Sequence, residues 1–303
     1  MSDKYPTVKD EGIRRFLEEG EKLYPADAVN FTMAQQRAFY DQFCAHFDYP
    51  HPAGVTTRDF KVGDIPCRTY KVNTPKAKLL YLHGGGYVVG GIASHDSICA
   101  EIAGQAQVEV TAVEYRLAPE HPFPAAFDDC WAVLNHIGPC IVAGDSAGGN
   151  MTAALCLKSR DVNGPKITAQ VLIYPGLGGD MTKGSYVEMG EAPLLSTRDV
   201  GFYHRAHLGQ GGAGIEAAPL AAPDFAGLPP TVLVSADIDP LRDDCPDFRD
   251  RLAAAGVAAV WRNEPNLLHG YLRARHLSAR AQASFRWICA MTRKLARGDS
   301  IAA

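Results

Sequence analysis

Residues 140–151 read CIVAGDSAGGNM, and this stretch decides the fold. The apolar run 140–145 predicts a buried strand, and the residues from 147 to about 159 predict a helix. Between them, Gly144, Asp145, Ser146, Ala147 and Gly148 fit the pattern G-x-S-x-G, in which glycines allow a turn too tight for a Cβ atom. The pattern predicts a strand–turn–helix unit that lifts the hydroxyl of Ser146 out of the backbone, beside the amides of a helix N-terminus.

Similar apolar runs flank this unit and alternate with helical stretches. The predicted strands are 78–83, 108–115, 140–145, 167–175, 231–237 and 257–263, and the predicted helices are 95–106, 124–137, 147–159, 242–255 and 275–296. Residues 55–62 and 65–72, joined by Gly63 and Asp64, predict an antiparallel strand pair. Apolar strands separated by helices indicate an α/β fold with a mostly parallel, doubly wound sheet covered on both faces.

Composition excludes several classes of protein. The chain has 303 residues, a net charge of −4 and 47% hydrophobic residues, which argues against a nucleic-acid binder and against a disordered chain. It has no apolar run of the roughly 18 residues that a membrane span needs, and residues 1–12 do not resemble a secretory signal. Eight cysteines without a C-x-x-C pair predict free, mostly buried thiols in a reducing, cytoplasmic compartment, and no metal-ligand cluster or cofactor motif is evident.

A second glycine-rich motif, His83-Gly84-Gly85-Gly86, follows the predicted strand 78–82. A run of three glycines leaves successive backbone amides unobstructed. Such amides can donate hydrogen bonds to an oxygen on which negative charge develops. Because ligands bind where parallel strands end, we interpret this run as an oxyanion hole.

A serine hydroxyl needs a neighbouring base, and the base needs an acid that orients it. If the order is serine, acid, histidine, the base follows the insertion described below and is His269 or His276. His269 is predicted to follow strand 257–263 across a short loop and directly precedes Gly270. His276 lies at the start of the final predicted helix, so the sequence favours His269.

Several aspartates satisfy this order as the acid. Asp239 follows the predicted strand 231–237 and directly precedes Pro240, which favours a position outside the next helix. Asp243 and Asp244 are expected in the first turn of that helix, where carboxylates have a structural role at the positive end of the helix dipole. Asp237 is the second candidate. By order alone, Asp247 and Asp250 also qualify.

Five motifs in order carry a resemblance to a known family: HGGG at 83–86, YRLAPEHPFPAAFDD at 115–129, GDSAGGN at 144–150, DPLRDD at 239–244 and HGY at 269–271. Together they resemble the hormone-sensitive-lipase-like family of α/β-hydrolases, in its GDSAG-type branch of bacterial carboxylesterases. The resemblance implies an α/β-hydrolase fold with a helical cap. The roles that it implies are a nucleophile, Ser146; an acid, Asp239; a base, His269; oxyanion donors, the amides of Gly85, Gly86 and Ala147; and motif support from His83, Gly84, Gly144, Asp145 and Gly148.

The cap is expected in two parts. Residues 1–48 predict two amphipathic helices, with Thr7 and Thr32 as N-caps and Gln35 completing a capping box. Residues 49–303 form the catalytic domain, interrupted by a cap insertion at about 177–218 that has helical pieces and no strand candidate. Within the insertion, His204 and His207 are interpreted as part of a solvated helix face.

The resemblance implies a serine carboxylesterase that hydrolyses short-to-medium acyl esters through an acyl-enzyme, with a small-molecule ester as substrate and no cofactor. It also implies that a homodimer can form. The same triad serves amidases, lactonases and acyltransferases, so these alternatives stay open. A ligand sensor on the same scaffold is a further alternative, although such proteins are expected to lose the base that His269 supplies here.

Overall fold

One eight-stranded sheet organises the computed structural model, which describes residues 5–209 and 214–301. The strands are β1 (Thr56–Val62), β2 (Ile65–Lys71), β3 (Lys78–Leu82), β4 (Glu109–Val113), β5 (Cys140–Asp145), β6 (Ile167–Ile173), β7 (Thr231–Ile238) and β8 (Ala259–Leu268). The helices are α1 (Glu11–Gly20), α2 (Met33–His46), α3 (Asp96–Ala106), α4 (Ala125–Ile137), α5 (Ala147–Asp161), α6 (Ser185–Glu188), α7 (Thr197–Leu208), α8 (Asp244–Ala254) and α9 (Ala279–Arg297).

The order of the strands creates a crevice beside β3. The strands lie in the order β1-β2-β4-β3-β5-β6-β7-β8, and every pair from β4 to β8 is parallel. From β3 the chain moves outward to β4 and then returns to the other side of β3 to form β5. Ligand sites of open α/β sheets lie at such a reversal, outside the carboxyl ends of the strands. The predicted α/β fold with a mostly parallel sheet is confirmed.

The hairpin at the start of the sheet forms as predicted. β1 and β2 are antiparallel, with Val62 opposite Ile65 and the Gly63–Asp64 turn between them. Gly63 has a φ of +58°, a conformation that glycine adopts at little cost.

Helices from two distant parts of the chain lie beside the crevice. Asp10, rather than the predicted Thr7, caps α1: its carboxylate accepts a hydrogen bond from the amide of Ile13. The prediction for α2 is confirmed, because Thr32 and Gln35 form the complete capping box. In the predicted insertion, the described residues 177–209 and 214–218 contain α6 and α7 and no strand.

The last strand differs from its prediction. β8 runs from Ala259 to Leu268, five residues beyond the predicted end, and its pairing with β7 shifts between Ala236 and Ile238. The extension contains Pro265 and Asn266, whose φ is +60°, and the irregularity in the ladder accommodates both. His269 therefore follows the strand directly, without the short loop that the sequence predicted.

The predicted free, buried thiols are confirmed, because all eight cysteines are unpaired and buried. None of the helices within residues 5–209 and 214–301 combines the length and the apolar character of a bilayer span.

Candidate active site

Ser146 occupies a strained turn between β5 and α5. Its φ of 53° and ψ of −119° are unusual for a residue with a side chain, and its amide donates to the carbonyl oxygen of Ile173 at 2.9 Å. The turn is possible because Gly148 lies against β3. A Cβ atom on Gly148 would lie 1.9 Å from the carbonyl oxygen of Leu82, and one on Gly144 would lie 2.4 Å from the backbone of Gly148. The glycines of the G-x-S-x-G motif are thus required by contact between elements.

Ser146, His269 and Asp239 lie at the carboxyl ends of three strands and form a continuous hydrogen-bonded chain. His269 Nε2 lies 2.9 Å from Ser146 Oγ, and His269 Nδ1 lies 2.8 Å from Asp239 Oδ2. Asp239 is fully buried, and its Oδ1 accepts a hydrogen bond from the amide of Leu241 at 2.9 Å. The carboxylate therefore holds the imidazole in one orientation, with Nε2 facing the serine hydroxyl.

The other candidates for the base and the acid lie in different surroundings. His276 Nε2 contacts Glu101 at 2.8 Å, on the side of α3. Asp237 accepts hydrogen bonds from the side chain of Asn263 at 3.3 Å and from the amide of Asn266 at 3.4 Å, so it stabilises the irregular part of β8. Neither residue contacts Ser146 or His269.

Asp243 and Asp244 bind the start of the insertion predicted at about 177–218. Asp243 accepts a hydrogen bond from the amide of Ser185 at 2.8 Å. The carboxylate of Asp244 accepts hydrogen bonds from the amides of Leu177 and Gly179, at 2.6 and 3.3 Å, and from the hydroxyl of Tyr186 at 3.1 Å. Burial raises the pKa of Asp244 to about 7, and these three donors oppose that rise.

The glycine run after β3 lies beside the serine, because Gly85, Gly86 and Ser146 line the same cavity. Gly85 and Gly86 have φ values of 126° and 59°, and a Cβ atom on Gly85 would lie 2.1 Å from the carbonyl oxygen of Val89. The amides of Gly85, Gly86 and Ala147 donate to no acceptor within the described part of the chain. Since Gly86, Ser146 and Ala147 line one cavity, these free donors are available to an oxygen bound at Ser146.

His83 supports the glycine run from below. Its ring stacks on Tyr115, with centroids 4.0 Å apart and planes 7° apart, and its Nδ1 donates to the carbonyl oxygen of Gly84 at 2.8 Å. The hydroxyl of Tyr115 donates to the carbonyl oxygen of His83 at 2.7 Å. Burial lowers the pKa of His83 to about 3, so the ring is neutral at pH 7 and its role is to fix the backbone.

Asp145 is the centre of a buried polar network behind Ser146. Its carboxylate accepts hydrogen bonds from the hydroxyl of Tyr81 at 2.9 Å and from the amide of Gly84 at 3.0 Å, and it lies 3.2 Å from His95 Nε2. Burial acts to raise the pKa of Asp145, but His95, Arg273 and the Tyr81 hydroxyl outweigh it, so the pKa lies well below its ordinary value. Asp145 thereby links the G-x-S-x-G turn to the glycine run after β3.

Two cavities meet at Ser146. The smaller, of about 100 Å³, is lined by residues that include His269, Tyr40 and Arg273. The larger, of about 220 Å³, is lined by residues that include Ala147, Asn150 and the cap insertion. Both cavities are lined by Leu195 and Tyr203 of the predicted cap insertion. Both are also lined by Gly86 and Ser146, at the edge of the sheet where the strands have their carboxyl ends; this edge is called the rim below. Side chains of the insertion therefore divide the space above the serine.

The prediction of a solvated face for His204 and His207 is wrong for His207. Only 4% of His207 is exposed, and its ring stacks on Tyr87 with centroids 3.6 Å apart. Burial lowers its pKa to about 4. His204 remains exposed, and both histidines line the larger cavity.

Comparison with known proteins agrees with this architecture. The family described as alpha/beta hydrolase fold matches residues 79–273, which include the whole chain of contacts from Ser146 to Asp239. The chain belongs to the α/β-hydrolase fold family. The family match begins at β3 and ends beyond His269, so it covers the rim and the insertion.

The proteins that this α/β-hydrolase is similar to are esterases, as the resemblance implied. Carboxylesterase NlhH of Mycobacterium tuberculosis is 39% identical over 256 residues, 77% of this chain and 79% of that protein. A solved bacterial heroin esterase has a TM-score of 0.87 and 28% identity, covering 97% of this chain and 100% of its own. An esterase from the bacterial hormone-sensitive lipase family has a TM-score of 0.85 and 26% identity, covering 95% and 99%. The resemblance to the hormone-sensitive-lipase-like family is confirmed.

Sequence reasoning missed three of the polar side chains that line the smaller cavity of this α/β-hydrolase: Tyr40, His95 and Arg273. Arg273, four residues after His269, is buried there beside His95, and its guanidinium donates to the hydroxyl of Tyr40 on α2. Their separation along the chain hides this cluster. The one local signal was an arginine in the segment HGYLR, which the family motif does not cover.

Proposed function

We propose that Ser146, His269 and Asp239 are the catalytic triad of this protein, which is a carboxylic ester hydrolase. The observation that carries the proposal is the continuous chain of contacts of 2.9 and 2.8 Å through His269. Such a chain gives the serine a base and gives the base an orienting acid. The 39% identity to carboxylesterase NlhH supports ester hydrolysis as the reaction.

In the first half of the reaction, Ser146 Oγ attacks the ester carbonyl carbon while its proton moves to His269 Nε2. Asp239 stabilises the imidazolium and keeps Nδ1 as the donor to its own carboxylate. The carbonyl oxygen becomes an oxyanion as the new carbon–oxygen bond forms. The amides of Gly85, Gly86 and Ala147 are the donors that we assign to this oxyanion, because they have no other acceptor within the described part of the chain.

In the second half, the imidazolium returns the proton to the oxygen of the leaving alcohol, and the bond from that oxygen to the carbonyl carbon breaks. An acyl group then remains on Ser146 Oγ. A water molecule gives a proton to His269 and attacks the acyl carbon, and the proton returns to Ser146 as the acid leaves. His269 therefore acts twice, as base and as acid, at the same place.

The two cavities support the proposal that the substrates are short-to-medium acyl esters. The larger cavity is lined by apolar side chains that can accept an apolar chain, such as Met181 of the insertion and Leu241 of the loop after β7. We assign the cap function to residues 1–48 and to the insertion at about 177–218. The side chain of Asn150 supports the bounds of the insertion, because it donates to the carbonyl oxygens of Gly176 and Ala217 at its two ends.

We also propose a cytoplasmic location and a homodimer. The eight free, buried thiols support a reducing compartment. β8 is the last strand of the sheet, and its outer edge pairs with no strand within the described residues. Such an edge can pair with the same edge of a second copy.

The direct test is Ser146→Ala, assayed with a p-nitrophenyl ester of butanoate. We expect kcat to fall by about 10⁴-fold or more, because the variant has no oxygen that can form the acyl-enzyme. The unfolding temperature should stay close to that of the wild type, since alanine fits the turn at least as well as serine.

Ser235→Ala is the matched control. Ser235 is a buried serine on β7 whose hydroxyl contacts Asn263 and Trp261 and no triad residue. This variant should retain kcat within about threefold. Undiminished hydrolysis by a folded Ser146→Ala protein would show that the nucleophile is another residue.

A further inference from the structure

Arg273 is a buried cation without a carboxylate partner in contact. Only 6% of it is exposed, and no carboxylate oxygen of residues 5–209 and 214–301 lies within 4.0 Å of its guanidinium. Its contacts are the carbonyl oxygen of Ser94 at 2.5 Å, the hydroxyl of Tyr40 at 3.0 Å and His95 Nε2 at 3.4 Å. A guanidinium has five N–H donors, so these contacts leave at least two of them without an acceptor in the described part of the chain.

Arg273 lies where its unused N–H donors can reach a bound ligand. It lines the smaller cavity together with Ser146 and His269. Burying a charged group with unused donors is costly, and active sites are where such groups are retained for a ligand. The free donors therefore indicate a ligand atom that accepts hydrogen bonds.

The smaller cavity is the side of the leaving alcohol. His269 must reach the leaving oxygen to protonate it, and His269 lines the smaller cavity but not the larger one. The acyl chain, which leaves the carbonyl carbon in another direction, then enters the larger cavity. This assignment rests on the proposed function, since it uses His269 as the acid of the first half-reaction.

The charge around Arg273 selects the kind of acceptor. Asp145 and Arg273 both contact the same atom, His95 Nε2, at 3.2 and 3.4 Å, so the negative charge of Asp145 lies near the guanidinium and offsets its charge. A carboxylate in the cavity would bring a second negative charge toward Asp145. An uncharged ether or carbonyl oxygen receives the hydrogen bond without that repulsion.

We propose that Arg273 is a specificity-determining residue, which selects esters whose short alcohol portion carries an uncharged oxygen acceptor. The cavity volume of about 100 Å³ limits this portion to a few atoms. Tyr40 keeps the guanidinium in place by accepting one of its hydrogen bonds, so a helix of the cap positions the selecting group.

The test compares butanoate esters of nearly equal shape. One pair is 2-methoxyethyl butanoate and n-butyl butanoate; the second pair, 3-methoxypropyl and n-pentyl butanoate, moves the ether oxygen one carbon deeper. In the wild type, the ratio of kcat/KM for ether over alkyl should be about tenfold higher than in Arg273→Met for at least one pair. The ratio within one variant cancels any loss of folded protein, and the comparison of that ratio between wild type and variant cancels the intrinsic difference between the alcohols.

Two further comparisons test on which side of the ester the oxygen acceptor binds. Methyl 3-methoxypropanoate and methyl pentanoate carry the same difference on the acyl side, and their ratio should change by less than about threefold in Arg273→Met. Tyr40→Phe should reduce the ether preference by less than Arg273→Met does. The butanoate ester of 3-hydroxypropanoate should be a poorer substrate than the ether, because its carboxylate faces Asp145.

Inhibition of the wild type keeps the proposal testable if Arg273→Met does not fold. Against p-nitrophenyl butanoate, 2-methoxyethanol or 3-methoxypropanol should inhibit about tenfold more strongly than the corresponding 1-butanol or 1-pentanol. Equal ether ratios in wild type and variant, or stronger inhibition by the alkyl alcohols, would overturn the assignment of Arg273. An ether preference confined to the acyl side would overturn the assignment of the cavity. Hydrolysis of none of these esters would instead count against the proposed function.

Discussion

The rim of the sheet and the cap above it are built in different ways. At the rim, the turn at Ser146 and the run at Gly85 are fixed by backbone contacts so close that a Cβ atom would collide with a neighbouring element. The cap meets the rim through single side-chain contacts. Examples are the hydrogen bond from the amide of Ser185 to the carboxylate of Asp243, at 2.8 Å, and the hydrogen bond from Arg273 to the hydroxyl of Tyr40. In the proposed function, the rim therefore fixes the chemistry, whereas the cap selects which substrate reaches it.

The largest effect on activity should come from substituting the proposed acid of the rim, Asp239. Asp239→Asn is expected to lower kcat by about 10⁴-fold, because an amide favours the wrong tautomer of His269 and cannot stabilise the imidazolium. Steady-state kinetics with p-nitrophenyl butanoate measure the loss.

Asp237→Asn is the matched control for this substitution, two residues away. Its carboxylate contacts Asn263 and the amide of Asn266 and no triad group, so kcat should change by less than about threefold. Equal losses in the two variants would contradict the assignment of Asp239.

A smaller effect is expected at Asp244, where the rim meets the cap, and it concerns the pH dependence of stability. Burial raises the pKa of Asp244 to about 7, above the value of about 3.9 for an unfolded chain. The folded state then holds the proton more tightly, so the stabilisation that this carboxyl contributes is full below about pH 4 and declines as the pH rises to about 7. Asp244→Asn stays neutral and lacks this decline.

Denaturant unfolding between pH 5 and 8 measures the difference. The free energy of unfolding of Asp244→Asn relative to the wild type should rise as the pH rises toward 7. Asp243→Asn is the control: the pKa of Asp243 is lowered, with burial outweighed by Arg242 and Ser185, so its difference from the wild type should stay constant over this range. A constant difference for Asp244→Asn as well would contradict the raised pKa of Asp244 in the folded protein.

The contrast also explains what the sequence could predict. The rim was predictable because each catalytic group follows a strand, and parallel strands bring their carboxyl ends to one edge. The motifs around Ser146 and Gly85 reflect local sterics that only glycine satisfies. The end of β8 was misplaced because a bulge accommodates Pro265, and no local pattern distinguishes that from a strand end.

The contents of the cap were not predictable for a different reason. Tyr40 and Arg273 are 233 residues apart, and their contact depends on how α2 docks over the sheet. His207 carries polar neighbours in its helix but stacks on Tyr87, so helical periodicity alone gave the wrong environment. Tertiary packing decides both positions, and short-range sequence patterns do not report it.

Labelling with a p-nitrophenyl alkylphosphonate tests the central claim most directly. Serine Oγ forms a bond to phosphorus, p-nitrophenolate leaves, and the adduct mimics the tetrahedral state without hydrolysing quickly. Mass spectrometry of proteolytic peptides should find one adduct, on Ser146, in the wild type and in Tyr40→Phe, with slower labelling in Asp239→Asn and none in Ser146→Ala. An adduct on another residue, or equal labelling of Ser146→Ala, would contradict the convergence of Ser146, His269 and Asp239 on one reactive oxygen.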